Sequence, residues 1–298
     1  MEPISSWLTG AGITAGAGLA YSAGYEVRAY TLREKTVPVL PTGSQSFKIL
    51  HLSDLHMTPR QFKKQEWISK LAGLKPDLVV VTGDFLAHMN SVPSVLGAFS
   101  AFADIPGVFV FGSNDYFAPS LRNPARYLFK PDGKLIGGVE LPWQDLKTGL
   151  EEMGWVDLTH RRAELTIANT RIEFRGVDDP HLGYDDYSTV AGRPDGNSFA
   201  IGVTHAPYFR ILDAMSADEV PLILAGHTHG GQLCLPFFGA LVTNCDLDTR
   251  RAKGLHRYNE SWMHISAGLG TNPYTPVRFA CRPEATLLTL TAANKEVS

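Results

Sequence analysis

With 298 residues the chain can form one large α/β domain or two small ones, and 44% hydrophobic with 19% charged residues suits a buried core rather than a disordered chain. A net charge of −3 without a long basic run argues against a broad face for nucleic acid. Cys234, Cys245 and Cys281 lack the CxxC spacing of a zinc knuckle, and so sparse a count fits a reducing compartment or simple core thiols.

Residues 1–30 read as an apolar tail, with no charge over 3–25. Its length suits a membrane anchor, but its glycines and few large apolar side chains (Ile4, Trp7, Leu8, Ile13, Leu19) suit a helix packed on the domain or a partner equally well. A cleaved signal fits less well, because the chain opens with Glu2. The nearest cations, Arg28, Arg33 and Lys35, follow the stretch, so an inserted tail would keep the domain in the cytoplasm, at the cytoplasmic face of the membrane.

Residues 31–46 read as a linker with a short strand, and the domain proper runs over 47–298. Phe47–Ser53 predicts a strand ending at Asp54. Residues 62–73 have helical spacing in Phe62, Trp67, Ile68 and Leu71. The unbroken apolar run Asp77–Thr82 predicts a strand buried on both faces. A helix over 91–104 and a strand over Val108–Phe111 complete an α/β order. Residues 117–140, rich in Pro and Gly, read as an insertion, with Tyr116, Phe117 and Tyr127 as candidate pocket residues. A helix over 144–153 follows. Strands then dominate: Glu164–Ala168, Arg171–Val177, Phe199–Val203, Pro221–Ala225, Trp262–Ser266 and Ala285–Thr291, with one helix at about 208–216.

Five segments share one design: an apolar run ending in Asp, Asn or His, usually beside Gly. They are Asp54-Leu55-His56, Gly83-Asp84, Gly112-Ser113-Asn114-Asp115, Thr204-His205 and Gly226-His227-Thr228-His229. In open α/β sheets ligands gather at the carboxyl ends of strands. Residues two apart in an extended segment point the same way, so Asp54 and His56 can aim at one ion, and His227 and His229 at one site. Carboxylate, imidazole and amide together suit Zn, Mn or Fe better than a pure oxygen cage. One such segment alone is commonly a turn or a cap; five in order are not.

These motifs resemble those of the calcineurin-like metallophosphoesterase superfamily: DxH, GDxx, GNH before an acid, a later His, and GHxH. Here they stand as DLH, GDFL, GSND, THAP and GHTHGG, and the resemblance covers residues 47–286. The GHTHGGQ run, Gly268–Pro273 and Arg278-Phe279 look like the YkuE-type branch. The resemblance implies a four-layer α/β/β/α sandwich of two mixed sheets, with two divalent ions (Mn, Zn or Fe) at one edge. It implies that Asp54, His56 and His229 hold the first ion, that Asp84 bridges both, and that His205, His227 and the GNH asparagine hold the second. The reaction implied is hydrolysis of a phosphomonoester or phosphodiester by a metal-bound hydroxide.

The chain departs from the family at Gly112-Ser113-Asn114-Asp115. Aligned without a gap, Ser113 takes the ligand position and Asn114 replaces the His that normally serves the leaving group; shifted by one, Asn114 binds metal. An amide oxygen is the better ligand, so Asn114 is the seventh candidate. His88 and His181 are candidate replacements for the missing His near the leaving group, and Arg278 a candidate partner for the substrate phosphate. His51 inside its strand reads as a core histidine. The tail and the insertion suggest a lipid-linked or cell-envelope phosphate as substrate. Two rival functions stay open: a metal-binding scaffold with lost catalysis, and a cyclic-nucleotide phosphodiesterase.

Overall fold

The computed structural model describes residues 16–120, 138–196 and 198–293. Residues 16–28 are helical, widening to a π turn at Tyr21–Tyr25 before a 3-10 turn at Glu26–Arg28. Glu26 is buried, and its carboxylate accepts the N–H groups of Ala280 (3.1 Å) and Cys281 (2.6 Å). This end of the tail is therefore docked on the domain. Among the described residues no helix is long and apolar enough to cross a membrane.

The strands are β1 (Thr31–Leu40), β2 (Phe47–Leu52), β3 (Leu78–Thr82), β4 (Gly107–Val110), β5 (Val156–Asp157), β6 (Arg161–Ile167), β7 (Thr170–Gly176), β8 (Phe199–Val203), β9 (Leu222–Ala225), β10 (Cys234–Leu235), β11 (Gly239–Ala240), β12 (Gly254–Tyr258), β13 (Ser261–Ile265) and β14 (Glu284–Ala292). The helices are α1 (Phe62–Lys70), α2 (Val92–Phe99), the single turn α3 (Ser113–Tyr116), α4 (Trp143–Glu152) and α5 (Phe209–Ala217). Two six-stranded mixed sheets form, in the orders β1-β14-β2-β3-β4-β5 and β12-β13-β9-β8-β7-β6.

Alternation along the strands makes the layers. In β3, Leu78 and Val80 face the other sheet, while Val79 and Val81 face helices. The inter-sheet core joins Ile49, Val108 and Val110 of the first sheet to Phe174, Ile201 and Leu224 of the second. Outside the first sheet, Ile68 of α1, Val95 and Phe99 of α2 and Leu146 of α4 close one apolar layer. Outside the second, Ile211, Leu212 and Met215 of α5 close the other. The result is the four-layer α/β/β/α sandwich. Edge strands β1 and β6 carry Arg33, Glu34 and Lys35, and Arg161, Arg162 and Glu164, which discourages pairing with another sheet.

One expectation needs correction. Residues 31–46 are not chiefly linker: β1 is ten residues long and pairs in parallel with β14 along its length. Its four central residues are exposed, so it lacks the alternating pattern that marks a strand in sequence. Of the insertion over 117–140, residues 121–137 lie outside the described residues, as does the pocket candidate Tyr127. The two ends of the insertion meet in a bridge between Phe117 and Glu140.

Candidate metal centre

β2, β3 and β4 run parallel in one sheet, and β8, β9 and β13 in the other. Their carboxyl ends meet at one edge of the sandwich. Asp54 and His56 follow β2, Asp84 follows β3, Asn114 follows β4, His205 follows β8, and His227 and His229 follow β9. Five of these seven have positive φ: Asp54 (49°), His56 (42°), Asp84 (56°), His227 (69°) and His229 (51°). Such backbone costs of order 1–3 kcal/mol per residue and persists where the surroundings enforce it, typically at functional sites. A side chain at Gly112 would place its Cβ 2.4 Å from Asp84 Oδ1, so glycine is required for this close approach.

Asp54, His56, Asp84 and His229 each offer a ligand atom within 4.8 Å of the others. His56 Nε2 is 3.1 Å from His229 Nε2 and 3.4 Å from Asp84 Oδ2, and His229 Nε2 is 3.6 Å from Asp54 Oδ1. Beside them, His205 Nε2 is 3.6 Å from the same Asp84 Oδ2 and 3.3 Å from His227 Nδ1. Asn114 donates its backbone N–H to Asp84 Oδ1 and its side-chain amide to Asp84 Oδ2, both at 2.8 Å. These bonds bring Asn114 to Asp84, and Ser113 Oγ lies 3.5 Å from the Asn114 amide nitrogen.

The far sides of the rings decide what the near sides offer. His205 Nδ1 lies 2.7 Å from the Thr82 carbonyl, and His227 Nε2 lies 3.1 Å from that of Asn244. A carbonyl can only accept, so each of these nitrogens carries a proton, and in the neutral ring the opposite nitrogen presents a lone pair to the cluster. His229 Nδ1 faces both the Gly270 carbonyl (3.2 Å) and Arg278 Nη2 (3.3 Å); a cation at Nε2 selects the tautomer that donates to the carbonyl. Burial pushes His56 down to about 4, and holds His227 and His229 well below the usual histidine range. Burial opposes charge on His205 too, but Asp84, Asp179 and Asp54 raise it to about 9. Burial likewise opposes charge on Asp84, but His205, His56 and the Asn114 N–H groups hold it below the usual carboxylate range. Burial keeps His56, His227 and His229 neutral, and His205 would yield its second proton to an ion; imidazoles converging on buried carboxylates are the donor set a divalent cation takes, and the residues fit it.

Two supports were not read from the sequence. Asp115, fully buried, accepts the backbone N–H groups of Gly112, Asp84, Phe85 and Leu86 at 2.7–3.0 Å, clamping the β3 and β4 loops together. The second is a buried chain: Ser53 Oγ donates to Asp54 Oδ2 (2.6 Å), Thr82 Oγ1 to Ser53 (2.7 Å), and His51 Nε2 lies 3.0 Å from Thr82. With each hydroxyl proton directed toward Asp54, His51 must donate from Nε2. Its Nδ1 then accepts from His264 Nδ1 at 2.8 Å, joining β2 to β13. The acid after the asparagine and the Ser-Asp dipeptide were visible in sequence; the partner of His51 was not.

The outer candidates divide. Arg278 needs correction. It is fully buried, and its Nη atoms donate to the carbonyls of Ala267, Gly268, Gly270, His229 and Cys281, so it braces the His229 loop and is closed off from substrate. His88 is exposed, with Nδ1 accepting the Asn90 N–H (3.0 Å). His181 is brought in. It is half-buried, with its ring centroid 4.4 Å from that of His227 and Nδ1 3.0 Å from Tyr208 Oη. Tyr116 and Phe117, next along the chain from Asn114, line a cavity of about 490 Å³ with Phe111, Trp143, Asp178 and Tyr184.

Comparison with known proteins identifies the family. A model of the calcineurin-like phosphoesterase family matches residues 47–231, more than half of the chain. The chain is 27% identical to the uncharacterized metallophosphoesterase YkuE of Bacillus subtilis, over 96% of this chain and 94% of the relative. It is 29% identical to the uncharacterized metallophosphoesterase YkoQ of the same organism, over 81% and 83%. It is 26% identical to the phosphodiesterase YaeI of Escherichia coli, over 95% and 96%.

Proposed function

Because the chain belongs to the calcineurin-like phosphoesterase family, and so to the metal-dependent phosphoric ester hydrolases, we propose that it cleaves phosphomono- or phosphodiesters at a centre of two divalent ions. The observation that carries the dinuclear reading is Asp84 Oδ2, which lies 3.4 Å from His56 Nε2 and 3.6 Å from His205 Nε2. One carboxylate oxygen thus faces two separate imidazole groups. On this reading Asp54, His56, Asp84 and His229 hold one ion, and Asp84, Asn114, His205 and His227 hold the other. Bound there, the ions would supply positive charge to the phosphate oxygens and acidify the attacking water.

The chain's own groups do the rest. The Thr82 and Asn244 carbonyls keep His205 and His227 in the ligating tautomer, and Asp115 keeps the Asp84 and Asn114 loops in register. His181, half-buried beside His227, contacts the substrate, and the aromatic cavity beside Tyr116 takes the organic group of the ester. With Asn114 in place of the family's histidine, esters with good leaving groups react best. Residues 1–30 bring the domain to the cytoplasmic face of a membrane, and a lipid-linked or envelope phosphate is the substrate class we favour.

The test is turnover of bis-p-nitrophenyl phosphate and p-nitrophenyl phosphate by the full chain with added Mn²⁺ or Zn²⁺. We expect metal-dependent hydrolysis that EDTA abolishes, with two metal equivalents bound. The Gly112-Ser113-Asn114-Asp115 loop favours one other reading, a metal-binding scaffold without catalysis. Protein that carries two ions and turns over neither ester would establish that reading in place of ours.

A further inference from the structure

The metal centre leaves unexplained the most exposed apolar feature among the described residues. Directly after His229-Gly230-Gly231-Gln232, β10 and β11 form a two-stranded antiparallel ribbon, with Cys234 opposite Ala240 and Leu235 opposite Gly239. Its root is fixed: Cys234 and Ala240 are buried in a small cluster with Ala252, Ala267 and Cys281, and the Cys234 N–H donates to the Phe279 carbonyl (2.8 Å). Its tip is bare. Phe237 is 111% exposed, held in a left-handed conformation (φ 67°), and Phe238 beside it is 71% exposed. Leu233, Leu235 and Leu241 along the ribbon are also exposed. Leaving large apolar groups in water forgoes roughly 1.5–3 kcal/mol each.

The ribbon has an apolar neighbour. Leu233 bridges Phe279, whose ring centroid is 6.4 Å from that of Tyr21 on the N-terminal helix. Ser22 and Glu26 tie that helix to the 278–281 segment. Leu19, Tyr21 and Tyr25 of the helix are exposed, as is Phe279. Two stretches of chain thus meet on one face, and neither residues 3–25 nor residues 230–245 contain a single Asp, Glu, Lys or Arg.

We propose that residues 233–241 are a membrane-docking hairpin, inserting Phe237 and Phe238 into the interface of a lipid bilayer beside the N-terminal helix. A convex tip of two adjacent phenylalanines suits a deformable apolar phase, whereas a protein partner would need a pocket cut to match it. The ribbon itself carries no ionised side chain to desolvate as the tip enters, and tyrosines such as Tyr21 and Tyr25 favour the headgroup level. Docking sets the strand end that carries His229 close to the phosphates of the interface. The inference is independent of the hydrolase reading, since it requires no turnover.

The test is co-sedimentation of the full chain with vesicles of phosphatidylcholine, with and without phosphatidylglycerol. Phe237→Ser/Phe238→Ser is the variant, and hydrolysis of a soluble nitrophenyl ester and metal content are its folding controls. We expect wild-type binding that survives high salt, a fall of roughly tenfold or more in the variant, and slowed amide exchange at 233–241 of the wild type on vesicles. The exchange measurement stands even where the variant does not fold. No wild-type binding to vesicles overturns the proposal. So does equal binding by the variant, which would leave the tail as the whole anchor. Self-association that the double substitution abolishes, without vesicle binding, would identify a second copy of this chain as the occupant instead.

Discussion

The two halves of the proposed two-ion centre are held by different means. Around Asp54, His56, Asp84 and His229, every member has positive φ, and Asp54 is backed by the chain through Ser53, Thr82, His51 and His264. Around His205, His227 and Asn114, only His227 has positive φ, and main-chain carbonyls set the two rings. The first half draws its ligand atoms together through strained backbone and a side-chain network. The second depends on main-chain geometry and on one amide that stands where the family's motif is broken. On the two-ion proposal Asp84 belongs to both.

Removing the shared member should have the largest effect. Asp84→Asn is expected to lose both ions, with kcat/KM falling on the order of 10³-fold or more, because each ion supplies several kcal/mol and about 1.4 kcal/mol is a factor of ten. Metal content by mass spectrometry decides the point: one ion retained at wild-type affinity would show that the halves are separate. A matched pair then divides them. His229→Ala should lose the first ion and activity together, whereas Asn114→Ala should lower the occupancy of the second ion only, with activity falling about 10–100-fold. If Asn114→Ala keeps both ions and only the rate falls, Asn114 acts beside the ligands rather than as one, and Ser113 or water completes the second shell.

How far the sequence carried differs between these regions for physical reasons. The seven residues brought to the rim announce themselves because apolar strands, glycines and polar ends recur together. The α/β order was legible in continuous runs such as Leu78–Thr82 that only a strand covered on both faces tolerates, whereas the four-layer sandwich was implied by the resemblance. Strand β1 was not, because a solvated edge strand has no apolar period to read. Arg278 was misread because guanidinium chemistry suits phosphate and carbonyl oxygens alike, and only burial tells which it meets. His264 had no motif; its role exists only because the inter-sheet packing lays β13 against β2. The left-handed backbone at five metal-centre residues was equally silent, since Asp and His carry no conformational label as glycine does.

The His51–His264 pair gives the smallest expected effect and the sharpest separation of the halves. Both rings are fully buried and linked at 2.8 Å, with burial holding His51 well below the usual histidine range and His264 down to about 3. The folded protein therefore binds fewer protons here than the unfolded chain once pH falls below about 6.5, the ordinary value for either ring. Stability from the pair is complete above that pH and is lost as the solution is acidified toward the folded values. His51→Phe deletes one of the two titrating groups. In EDTA-treated protein its urea-unfolding free energy should decline less steeply from pH 6.5 to pH 5, by up to about 1.4 kcal/mol per pH unit. The other buried histidines, present in both proteins, cancel in the comparison. The same substitution removes the donor that orders Thr82, Ser53 and Asp54, so first-ion affinity should weaken about 10–100-fold while second-ion affinity holds. Equal weakening of both ions would mean that the chain supports the whole rim, and the division between the halves would fall with it.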